Sequence, residues 1–198
     1  MGTVLILNAG SSSIKVAVFE HAATADEPRL SCAGHVAQVD VDVDVDVDVD
    51  VEFLVKREDG TPLEQSRARS APVGFDHDET MSLMSTWLGV HRGTLELASV
   101  GHRVVHGCQQ HSAPVRVNDG VPRDLASFVP PAPLHRPHNL KAIRLVRERW
   151  PDMPKGAYFD TAFHPTQPID AQALPRAITS AGVRRYGFQG LSPRYIAS

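Results

Sequence analysis

VLILNAGSSSIK, running from Val4 to Lys15, opens the chain with an apolar run that breaks abruptly into a small polar turn. Val4–Leu7 reads as a short buried strand. Asn8, Ala9, Gly10, Ser11, Ser12 and Ser13 then form a turn, and Ile14 to Phe19 a second strand. Gly10 permits backbone conformations closed to other residues. Ser11 and Ser13 bring hydroxyls, the turn offers backbone N–H groups, and Lys15 adds a point charge. Such a set suits phosphate oxygens, which want several short-range donors and one cation. The same residues also fit an ordinary hairpin with a Ser-rich turn.

The surrounding composition narrows the class. A chain of 198 residues, 42% hydrophobic, can form one full domain or two small ones. A net charge of −3 carries no basic footprint for nucleic acid. Cys32 and Cys108 lie far apart with no metal-ligand spacing, which points to a reduced, cytoplasmic setting. The N-terminus lacks the pattern of a secretory signal, and no apolar run reaches membrane-spanning length. The ten histidines are scattered, so no His-rich metal tract is read.

Further along, Leu30–Ala37 is a third strand candidate. Val39–Val51 alternates Val and Asp without a break and continues through Phe53 and Val55, the period of a long edge strand with one acidic face. Identical steps specify register poorly. Aspartates along one strand face lack the loop and carbonyl ligands of a dedicated calcium site, so the repeat is read as solvent-facing and structural. Lys56–Pro72 reads as a hairpin or loop around Asp59-Gly60. Asp78 caps a helix to about Val90, with Met81, Met84, Trp87 and Leu88 in a stripe. Leu97–Val105 is a strand, Gln109–Val121 a polar loop and Pro122–Phe128 a short helix. Val129–His138 is too proline-rich to be regular. Asn139 caps a second strong helix that Pro151 stops. The strand Gly156–Phe159 then delivers Asp160 at its C-terminal end, where α/β proteins place ligands. Strands interleaved with helices define an α/β domain, a mixed sheet with flanking helices. Ser192 and Pro193 read as the start of a helix at which the chain stops, which predicts a truncated form of a longer protein.

Five segments in order, NAGSSSIK (Asn8–Lys15), GHRVVHG (101–107), APLHRPHNL (132–140), FDTAFHPTQP (159–168) and RRYGFQGLSPRY (184–195), are similar to the motifs of acetate kinases. The resemblance spans nearly the whole chain but only the N-terminal half of a family member. It implies a ribonuclease H-like domain of the sugar kinase, chaperone and actin superfamily. Residues 1–198 would be one lobe, with the C-terminal nucleotide-binding lobe absent. The implied reaction moves the γ-phosphoryl group of ATP to acetate with Mg²⁺, giving acetyl phosphate and ADP. By the same resemblance Arg103 binds the acyl substrate, and its planar fork suits a carboxylate or phosphoryl group. Asp160 is the acid/base residue; its own chemistry leaves open a place in the Mg²⁺ shell or an orienting role. Asn8 is associated with magnesium through water, Lys15 with the nucleotide, and His135 with the substrate cleft. Val105, Leu134 and Phe188 form the apolar pocket for the substrate methyl group. His102, His106, His138 and His164 have only packing or hydrogen-bonding roles.

Two positions depart from the family pattern. Gln189 stands where family members have a histidine that stabilises the transition state, and losing such a group typically costs about 10²–10³ in rate. Pro193 also replaces a usual histidine, but fits a helix start. Propionate or butyrate kinase is an alternative within the same chemistry. A non-catalytic remnant is an alternative outside it, favoured by Gln189, the Val-Asp repeat and the abrupt end. Family members are homodimers, an inference that fails if their contacts lie in the missing lobe.

Overall fold

The computed structural model describes residues 2–10, 13–21, 27–37, 50–69, 77–107, 111–127, 136–162, 174–180 and 190–191. Burial along the first strand, β1 (Gly2–Ala9), shows how the sheet is used. Thr3, Leu5, Leu7 and Ala9 are buried, whereas Val4, Ile6 and Asn8 are only half-buried. One face therefore carries the core, by the alternation every strand imposes. β2 (Ser13–His21) returns antiparallel, β3 (Arg29–Ala37) pairs with β2, and β4 (Asp50–Arg57) and β5 (Pro62–Arg69) extend the sheet as a hairpin. On the other side of β1, β6 (Leu97–Val104) and β8 (Lys155–Phe159) run parallel to it. The two-residue β7 (Val115–Arg116) closes that edge, giving the order β5-β4-β3-β2-β1-β6-β8-β7.

The parallel pairings require crossovers, and helices supply them. α1 (His77–Leu95) precedes β6, while α2 (Val121–Ser127) and α3 (Arg136–Arg149) precede β8. Met81, Met84, Trp87 and Leu88 of α1 join Leu5, Leu7, Val16, Val55 and Val100 in the larger apolar cluster. Leu140 and Ile143 of α3 join Val121, Leu125, Val104, Ala157 and Phe159 in the smaller one. Strand register places all these sheet residues on one face. The face bearing Asn8, Lys15, Arg103 and Tyr158 is the opposite one. A fourth helix, α4 (Arg176–Ser180), has no buried residue. Among the described residues, no helix is long and apolar enough to cross a membrane.

Several sequence expectations need correction. Asn8 lies inside β1 and Ser13 starts β2, so the turn is shorter than read. Gly10 does not adopt positive φ, and its N–H donates to the Ser13 carbonyl at 2.9 Å, closing the hairpin. β4 is not an edge strand, because β5 pairs along it; the remainder of the Val-Asp repeat, residues 39–49, lies outside the described residues. The Asp59-Gly60 hairpin is present, with Gly60 at φ 84°. Asp78 and Asn139 are not caps: α1 begins at His77 and runs on to Leu95, and α3 begins at Arg136. Pro137 sits in the first turn of α3, where a missing N–H costs nothing. The Pro-rich stretch is thus helical over its last three residues. The predicted helix at Ser192 lies outside the described residues.

Candidate active site

The C-terminal ends of β1, β6 and β8 lie side by side, because these three strands are parallel neighbours. Each end contributes one polar side chain: Asn8 from β1, Arg103 from β6 and Asp160 just beyond β8. Arg103 Nε donates to Asp160 Oδ1 at 3.0 Å, and Nη2 to Asp160 Oδ2 at 2.6 Å. Nη1 donates to Asn8 Oδ1 at 3.2 Å. A guanidinium has donors only, so it fixes the Asn8 amide with its oxygen inward. The Asp160 side chain is 1% exposed and that of Arg103 30%, so the carboxylate is buried while its partner reaches solvent. Such a two-pronged, charge-assisted pair sets the orientation of both groups as well as their separation.

Lys15 lies opposite Asn8 in the β1–β2 register and is exposed. Ser13 is half-buried two residues before it, at the start of β2. Val105, half-buried just past β6, donates its N–H to Asn139 Oδ1 at 3.1 Å. Of the expected site residues, the fold thus groups Asn8, Arg103 and Asp160 in direct contact, with Lys15, Ser13 and Val105 on adjoining positions. Ser11, Leu134, His135, Phe188 and Gln189 lie outside the described residues.

Two residues that sequence reasoning passed over hold this rim together. Asn139 also donates from Nδ2 to the Ala9 carbonyl, at 2.6 Å. Thr161 accepts the Gly107 N–H on Oγ1 at 3.0 Å, tying the ends of β8 and β6. Gly107 must be small: a Cβ there would lie 2.4 Å from the His111 carbonyl oxygen and 2.8 Å from Phe159 Cγ. Asn139 and Thr161 both fall within motifs of the sequence, but a polar residue at an element boundary reads first as a cap. Behind Arg103, His102 points into the core and is 2% exposed. Burial, with a lesser push from the Lys155 charge, lowers its pKa from 6.5 to about 4, so it is neutral at pH 7.

Among the described residues, no three or more His, Cys, Asp or Glu side chains are grouped to hold a metal. The Asn8 oxygen and the Asp160 carboxylate both face a guanidinium, which repels a bare cation.

A mixed sheet with flanking helices and a polar rim at its parallel strand ends defines this chain as a ribonuclease H-like, actin-like ATPase domain. More narrowly, residues 3–198 match the profile of the Acetokinase family, and the chain belongs to that family. It is 40% identical over 196 residues to an acetate kinase of Rhodopseudomonas palustris, covering 98% of this chain and 46% of that protein. It is also 40% identical over 199 residues to one of Rhizobium meliloti, of which it covers 48%. Among solved structures, a propionate kinase from Francisella tularensis superposes with a TM-score of 0.77 at 26% identity, over 99% of this chain and 47% of that one. An acetate kinase of Porphyromonas gingivalis gives 0.75 at 29% identity, over 99% and 47%. The chain spans about half the length of the relatives it matches.

Proposed function

We propose that this chain supplies one wall of the active site of a cytoplasmic carboxylate kinase. The reaction is ATP + acetate ⇌ ADP + acetyl phosphate. A carboxylate oxygen attacks the γ-phosphorus in line, the bond to the ADP oxygen breaks, and the phosphoryl group moves without a covalent enzyme intermediate. The observation that carries this reading is the Arg103 fork, gripped by Asp160 and Asn8 at the strand-end rim. Such transfer depends on positioning and on cations against the phosphoryl oxygens more than on covalent chemistry by the protein. Arg103 binds the acyl group or the phosphoryl oxygens, and Asp160 orients the fork and serves as the acid/base residue. Lys15, with the Ser11 and Ser13 hydroxyls, meets the nucleotide phosphates. Val105, with Leu134 and Phe188, packs the substrate methyl group beside His135. Gln189 offers an amide donor where relatives place a cation. Asn8 would hold the hydration shell of a divalent ion such as Mg²⁺, which when bound with ATP would supply neutralisation of the phosphate charge.

Isothermal calorimetry with acetyl phosphate tests the site: binding that weakens about tenfold or more in Arg103→Ala supports the reading. Equal binding by both forms removes it. Expressed by itself, the 198-residue chain is expected to give no acetate-dependent turnover in a coupled ADP-release or acyl-hydroxamate assay, and robust turnover overturns that expectation. The likeness to a propionate kinase favours a second reading within the same chemistry. Comparing the binding of acetyl, propionyl and butyryl phosphates separates the two.

A further inference from the structure

We propose that Asn139 is a positioning residue, its side-chain amide acting as a surrogate peptide unit that sets the spacing between Asn8 and Arg103. The β1–β6 ladder ends at the pair Leu7↔His102, and Asn8 and Arg103 are the next residues on each strand. Just beyond them the strands have no ladder partner for each other. The Ala9 carbonyl and the Val105 N–H face into the space between them, where a lost hydrogen bond is costly. Asn139, 3% exposed on the first turn of α3, fills that space. Its Nδ2 donates to the Ala9 carbonyl at 2.6 Å and its Oδ1 accepts the Val105 N–H at 3.1 Å. The flipped amide would oppose N–H to N–H and oxygen to oxygen, so only one orientation satisfies both strands. Asn139 thereby brackets the 3.2 Å contact between Arg103 Nη1 and Asn8 Oδ1 from one residue beyond Asn8 and two beyond Arg103.

Aspartate at this position keeps the acceptor for Val105 but loses the donor to Ala9. Leucine, of similar size, loses both. The inference rests on the kinase reading only for what Asn8 and Arg103 do. Its test reads hydrogen bonds, so it can fail while acetyl phosphate still binds, and the kinase reading can fail while it stands.

The experiment is nuclear magnetic resonance on the ¹⁵N,¹³C-labelled chain, with the Arg103 Nη1–H signal that faces Asn8 assigned by its loss in Arg103→Lys. In the wild-type chain a scalar coupling across the hydrogen bond from Asn139 Nδ2 to the Ala9 carbonyl carbon is expected, and its absence overturns the inference. In Asn139→Leu, exchange of the Val105 amide and of the Arg103 Nη1–H with water should each rise about tenfold or more. Amides of the β3–β4 pairing should stay protected. Unchanged Arg103 exchange in a folded Asn139→Leu overturns the inference, since a merely structural residue would leave that signal alone. If Asn139→Leu does not fold, Asn139→Asp decides. Retained Val105 protection with shifted Asn8 side-chain amide signals supports the inference, and unmoved Asn8 signals overturn it.

Discussion

Arg103 and Asp160 depend on each other unequally. The Asp160 carboxylate is almost fully buried and takes two donors from Arg103, whereas Arg103 reaches solvent and has Asn8 as a further partner. Removing the cation strands a buried anion; removing the anion leaves a guanidinium that water can reach. Arg103→Leu is therefore expected to destabilise the chain by about 3 kcal/mol at pH 7. Asp160→Asn should cost less, because a neutral amide can still accept one of the guanidinium bonds. Urea unfolding of both variants measures the ordering, and equal losses would refute it. At this scale three of the candidate site residues can be followed from the sequence into the structure. Asn8, Arg103 and Asp160 were singled out from motifs, and the fold brings them within hydrogen-bonding distance. What the sequence could not convey is that Arg103 already has a carboxylate in its fork, because that needs the register of two strands 57 residues apart.

Element boundaries were less legible, and the reason lies in local ambiguity. Asn139 has the chemistry of a helix cap, and only the neighbouring strand ends reveal that its amide is used across the sheet. Asp78 has the same chemistry one residue inside α1. The hairpin of β4 and β5 was read from Asp59-Gly60, yet the charged, alternating Pro62–Arg69 looks like a loop until its pairing with β4 is seen. One terminus could not be anticipated at all. α1 ends through Glu96, an exposed residue at φ 47°, in the left-handed region that side chains disfavour. The turn holds because β1 grips it: Thr3 N–H donates to the Glu96 carbonyl at 3.1 Å, and the Thr3 hydroxyl donates to the Leu95 carbonyl. Helices usually end here on glycine or asparagine. Glu96→Gly should stabilise the chain by roughly 0.5–1 kcal/mol, the left-handed strain less the entropy that glycine loses. A rise in the thermal midpoint checks this. A fall would mean that the Glu96 side chain contributes something beyond its backbone position.

Across the whole molecule, the sheet's buried face carries two apolar clusters, and β6 passes through both, with Val100 in one and Val104 in the other. His102 is the inward-facing residue between them. Its Nε2 is buried without a hydrogen-bond partner among the described residues, and the charge that acts on it is the Lys155 ammonium. Lys155 is itself held by the carbonyls of Trp150, Pro151 and Met153, so it does not swing to relieve the imidazole. A folded-state pKa of about 4 against 6.5 when unfolded has a definite sign. Above pH 6.5 neither state protonates His102, and its contribution to stability is constant. Below 6.5 the unfolded chain binds a proton that the folded chain refuses, so stability falls with pH until the folded imidazole also titrates near 4. The full loss over that window is about 3 kcal/mol. His102→Leu removes this titration and fills the seam with apolar volume. Subtracting the unfolding free energies of wild type and His102→Leu at pH 7, 6, 5 and 4.5 cancels the contributions common to both proteins. The wild type should lose ground steadily over that series. Parallel pH profiles would show that the imidazole is not what makes the joint between the two clusters sensitive to acid.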